Sequence, residues 1–137
     1  MDKSELLNYR ALVLEAAQLR DLLFHLSVER YSFPAPASHE DARPSRSKAA
    51  SFEGRVIRYS EAVEIYERKL ADIDARTVAV ECAVGALTDP VERLVMRLRY
   101  IEGQRWVNVC VELQALGYSE RQVYRLHGAA LEKLKEI

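Results

Sequence analysis

Residues 119–137 read SERQVYRLHGAALEKLKEI. Ser119 is a natural helix cap, and Gln122 three residues on completes a capping box, so a helix is expected to open here. Val123, Leu126, Ala130, Leu131 and Leu134 then recur at helical spacing and mark a face for burial. Arg121, Gln122, Tyr124 and Arg125 stay on or beside the other face, within the first two turns. A helix that buries one side and holds long donors on its N-terminal turns has the chemistry needed to reach base edges in a DNA groove.

Upstream of this helix the chain supplies a matching partner. Thr88-Asp89-Pro90 is punctuation: Asp89 suits an N-cap, Pro90 the first helical position and Glu92 the third, so a helix is predicted over 91–102. It would bury Leu94, Val95, Leu98 and Ile101. After Gly103, a further helix over 104–116 would bury Trp106, Val109, Cys110, Leu113 and Leu116. Gly117 supplies the left-handed turn that ends it. Helix, glycine turn and capped basic helix form the pattern of a helix-turn-helix. Gln104 and Arg105, at the start of the fourth helix, are placed to meet phosphate. Gly128, inside the last helix, is expected where another helix comes close.

The first two-thirds of the chain is periodic in a different way. Over residues 3–30, Tyr9, Leu12, Ala16, Leu19, Leu23 and Leu26 alternate by threes and fours, which is a heptad seam. A second seam runs unbroken over 52–87 through Phe52, Val56, Tyr59, Val63, Tyr66, Leu70, Ile73, Thr77, Val80, Val84 and Leu87. As a helix this rod would be ~50 Å long. Between the two, Pro34, Pro36 and Pro44 with several serines predict a non-helical connector at about 31–51. The helices should fold back on one another as an antiparallel pair. Because the first is shorter, Tyr59, Val63, Tyr66, Leu70 and Ile73 are a candidate seam for a second subunit or another partner. The alternative is that the surplus seam docks on the chain's own C-terminal part.

Composition narrows the function classes. The 137 residues carry a formal net charge of −1. Residues 1–90 hold 12 Lys/Arg against 15 Asp/Glu, whereas residues 91–137 hold 8 against 6, so only the C-terminal part has the sign expected for contact with phosphate. Cys82 and Cys110 lie among apolar neighbours without a C-x-x-C pattern, and are expected as reduced core thiols. No metal ligand set, cofactor motif or catalytic constellation is read, and the chain is not expected to be an enzyme. The M-D-K-S-E-L-L start has no signal-peptide pattern, and no apolar stretch has the length of a membrane span, so a cytoplasmic protein is expected.

Two stretches carry a family resemblance. LTDPVERLVMRLRYIEGQRWVNVCVEL and LGYSERQVYRLHGAALEKL resemble the phage transcriptional regulators of the ArpU and RinA type. They are also similar to region 4 of sigma-70 factors, which reads the −35 promoter element. The resemblance implies an all-α chain: a long antiparallel, coiled-coil-like helical pair over 1–87, then a sigma-region-4-like helix-turn-helix over 88–137. It implies a transcriptional regulator of phage or prophage genes, an activator of late genes, acting on double-stranded promoter DNA in a bacterial host. RNA polymerase and a homo-oligomer through the N-terminal helices are further expected partners. Carried over by position, the DNA-contacting residues are Glu120, Arg121, Tyr124 and Arg125, with Ser119 as the cap. The base-reading residues differ from those of sigma factors, so no promoter sequence is inherited. Gln114, Ala115 and Leu116 make the fourth helix about three residues longer than the resemblance implies. Two other functions fit the same residues: a small terminase subunit-like DNA-packaging protein, and a helical module that contacts RNA polymerase or a sigma factor.

Overall fold

The computed structural model describes the backbone of residues 1–31 and 46–137, and the side chains of 1–29 and 53–137. The described chain is all-α. Its helices are α1 (Lys3–Tyr31), α2 (Arg46–Gly85), α3 (Pro90–Met96), α4 (Trp106–Ala115) and α5 (Glu120–Lys135), with a π-helical segment (Arg97–Ile101) continuing α3. The long helices α1 and α2 form an antiparallel pair, and the short ones follow. No described helix is long and apolar enough to cross a membrane.

Both heptad seams face inward. Tyr9, Ala16 and Leu19 of α1 are buried, and Leu12, Leu23 and Leu26 are half-buried. On α2 and just beyond its end, every seam position from 56 to 87 is buried or half-buried; the Phe52 side chain lies outside the described residues. The connector expected at 31–51 falls mostly outside them too. Its last part, however, is helical: α2 begins at Arg46, six residues before the seam does. Beyond Pro44 the run R-S-K-A-A-S has no helix breaker and is rich in good helix formers.

The chain divides into two compact units, one of residues Ala16–Asp72 and one of Met1–Glu15 with Ile73–Ile137. In the first, Val56, Tyr59, Val63, Tyr66 and Leu70 are half-buried, and the Tyr59 hydroxyl donates to Glu29 Oε2 at 2.5 Å. In the second, two apolar clusters share the short helices. One joins Leu6 and Tyr9 of α1 to Val80, Ala83 and Val84 of α2, to Met96 and Tyr100, and to Ala130 and Leu134 of α5. Thus the C-terminal part of the α2 seam is covered by the chain's own short helices. The other cluster joins Val95 and Leu98 to Val109, Cys110 and Leu113 of α4 and to Val123 of α5. Beside it, Lys133 of α5 binds Glu92 of α3, with Nζ 2.8 Å from Oε2.

The π-helical segment departs from the simple helix expected over 91–102. Its mark is the bond from the Glu102 N–H to the Arg97 carbonyl, five residues back, at 2.8 Å. Gly103, at φ +71°, then turns the chain away. Arg10 of α1 donates to the Ile101 carbonyl at 3.1 Å, and a Cβ on Gly103 would lie 2.8 Å from its Nε. One guanidinium thus satisfies a carbonyl left over at the helix end while lying against a residue that has no side chain.

Three other expectations need correction. Leu116, expected in the core, is 59% exposed, because α4 ends at Ala115 and Leu116 belongs to the turn. Cys82 is exposed on α2, since Val80, Ala83 and Val84 take the inward positions around it. Cys110 is buried as expected, and burial pushes its thiol pKa up, with Glu120 adding to the effect. Among the described residues Gly128 meets no close neighbour: a Cβ there would find nothing within 4 Å outside its own helix, so no second described helix explains it.

Candidate nucleic-acid interface

The turn between α4 and α5 is fixed by backbone chemistry. Gly117, at φ +91°, donates to the Gln114 carbonyl at 2.9 Å, and Tyr118 donates to the Leu113 carbonyl at 3.0 Å. This is a Schellman closure of α4, and glycine alone takes its left-handed position without strain. Two residues later the capping box is complete. Ser119 Oγ accepts from the Gln122 N–H at 3.3 Å, and Gln122 Oε1 accepts from the Ser119 N–H at 2.8 Å. The Gln122 side-chain oxygen is therefore occupied in holding the helix start.

From that cap the faces of α5 follow. Val123, Ala130 and Leu134 are fully buried and Leu126 is half-buried. Glu120, Arg121, Gln122, Tyr124 and Arg125 are all exposed. Arg121 and Arg125 are one turn apart and project from the same side. Gly128, three residues beyond Arg125, is exposed as well. Glu120 in the first turn and Lys133 and Lys135 in the last complement the helix dipole.

The two residues expected at the start of α4 separate. Arg105 is the N-cap of α4, extended at φ −69° and ψ 152°, and its side chain is exposed. Gln104 precedes the helix and is half-buried. Its Nε2 donates to Glu102 Oε2 at 3.1 Å, and its carbonyl accepts from Arg99 at 3.0 Å. Its Oε1 is buried with no hydrogen-bond partner among the described residues. The candidate seam residues Tyr59, Val63, Tyr66 and Leu70 are half-buried and Ile73 is 4% exposed.

An aromatic cluster that sequence reasoning missed lies behind the exposed face. The Trp106 and Tyr124 rings are 5.1 Å apart between centroids, tilted by 49°. His127 meets the Trp106 ring edge-on at 4.6 Å, and its Nε2 shares a 2.6 Å hydrogen bond with the Tyr100 hydroxyl. The Arg99 guanidinium lies 5.1 Å from the Trp106 ring centre, within cation–π range. Burial, with Lys3 and Arg99 nearby, brings His127 down from 6.5 to about 4, so its imidazole is neutral at neutral pH. Burial raises the Tyr100 pKa, against an opposing effect of Arg99. Tyr124 and His127 are three apart on one helix, a spacing that could have placed both rings toward Trp106. Tyr100 had no such signal, because the π-helical segment that carries it breaks the 3.6-residue period.

Comparison of the chain with known protein families, with curated proteins and with solved structures finds no match.

Proposed function

We propose that the chain is a sequence-specific DNA-binding regulator of phage or prophage genes. In this reading α4, the Gly117 turn and α5 form a helix-turn-helix similar to sigma-70 region 4, and α5 enters the major groove. Arg121 and Arg125 read base edges, and Glu120 and Tyr124 flank them. Arg105, at the start of α4, and Ser119, at the cap of α5, meet the phosphates that set the register. By the resemblance, the outcome is activation of late promoters, with RNA polymerase as the second contact.

The observation that carries this reading is the division of labour on α5. Its cap is closed and its apolar residues are packed, yet Arg121, Tyr124 and Arg125 are left exposed on the first two turns. An arginine forked onto guanine O6 and N7 is worth ~1–3 kcal/mol of discrimination, so two of them account for a usable sequence preference.

The test is selection of bound duplexes from a random 25-base-pair library, followed by a salt series on the enriched sequence. Enrichment of a shared motif is expected, together with affinity that falls linearly in a log–log plot against salt. Failure to enrich any motif contradicts the proposal.

A further inference from the structure

Among the four residues placed on the reading face, Tyr124 is chemically the odd one. Glu120, Arg121 and Arg125 offer charge and hydrogen bonds, whereas Tyr124 offers mainly an aromatic surface, 44% exposed. That surface is not loose. Trp106 packs against it at 5.1 Å, and Trp106 is itself held by His127 at 4.6 Å and by Arg99 at 5.1 Å. The Tyr100 hydroxyl fixes the His127 Nε2 at 2.6 Å, and the Gln104 carbonyl fixes Arg99 at 3.0 Å. The result is a continuous brace from the π-helical segment through the start of α4 to the outward side of α5. Such a ring has already lost much of its rotational freedom and gives up little more on binding.

The edges that base pairs present in the major groove are hydrogen-bond donors and acceptors, with one apolar exception, the 5-methyl group of thymine. An aromatic ring held rigidly beside two arginines on a groove-facing helix is matched to that group. We infer that Tyr124, braced by Trp106, reads a thymine 5-methyl group in the major groove. Tyr124 makes the contact, and Trp106 is a positioning residue that acts through it. The inference rests on the DNA-binding reading above and adds the base feature recognised at one position.

The experiment uses the full chain and the duplex enriched from the random library, with each thymine replaced singly by deoxyuridine, which lacks only the methyl group. At one or two positions the wild type should lose about three- to fourfold in affinity, the value of one methyl-sized apolar contact. Tyr124→Ala should bind the thymine and deoxyuridine duplexes equally, and Tyr124→Phe should keep the difference because it keeps the ring. Trp106→Leu should shrink the difference, while Trp106→Phe retains more of it. No sensitive thymine in the wild type overturns the inference, as does a sensitive thymine whose effect persists in Tyr124→Ala. In both of those outcomes DNA binding itself still stands. If no duplex enriches at all, the DNA-binding reading falls and the inference falls with it.

Discussion

The Tyr100 hydroxyl and the His127 Nε2 lie 2.6 Å apart, joining the π-helical segment to the middle of α5 through two groups that burial keeps uncharged. The folded pKa of His127, about 4, lies below its ordinary 6.5. Between those values the unfolded chain takes up a proton that the folded chain refuses. This contribution to stability is therefore full above pH 6.5 and shrinks as the pH falls toward 4. Urea unfolding midpoints at pH 7 and pH 4.5 should show a larger drop for the wild type than for His127→Gln, which does not titrate. Equal drops contradict the assignment of the imidazole as neutral in the fold.

Glycine substitutions should separate by sign. Gly128 is exposed and a Cβ there would meet nothing within 4 Å among the described residues, so Gly128→Ala should stabilise the fold by roughly 0.5–1 kcal/mol. Gly103 holds φ +71° with Arg10 against it, so Gly103→Ala should destabilise by roughly 1–2 kcal/mol. Chemical denaturation of the two variants beside the wild type reads both. A destabilised Gly128→Ala protein would mean that a neighbour packs on that face.

The Glu92–Lys133 pair ties α3 to α5 with a carboxylate that is 5% exposed. Removing the cation leaves that carboxylate buried and uncompensated, which costs more than losing both charges together. Lys133→Met should therefore lower the urea midpoint, and adding Glu92→Gln should recover part of the loss. A double variant less stable than Lys133→Met alone contradicts this account of the pair.

Much of this fold is legible in the residues. The three–four alternations through Tyr9 to Leu26 and Val56 to Leu87 identify the inward faces of both long helices, because a seam that repeats over many turns has only one way to be buried. Ser119, Gln122 and Gly117 define the α4–α5 turn, because caps and left-handed positions are local chemistry. What was not legible depends on side-chain contacts that periodicity and caps do not encode. The π-helical segment has no sequence period of its own and is tied down by Arg10, 91 residues from Ile101. Gln104 is half-buried, its amide bonded to Glu102 and its carbonyl to Arg99, where helix-start logic had placed it toward phosphate. Trp106 reads from sequence as a core anchor, and the packing adds that its ring also supports Tyr124. The exposed face of α5 was legible in position, since Val123 and Leu126 fix the phase of the helix.

In the proposed function the exposed face of α5 reads DNA. The most direct test is a mobility-shift titration of the enriched duplex with wild type, Arg121→Ala and Arg125→Ala, alongside circular dichroism of each protein. Both side chains are exposed, so both variants should keep native helical content. Each should lose roughly 10-fold or more in specific affinity, corresponding to at least ~1.4 kcal/mol, while binding to unrelated DNA falls much less. Wild-type specific affinity in both variants would contradict the claim.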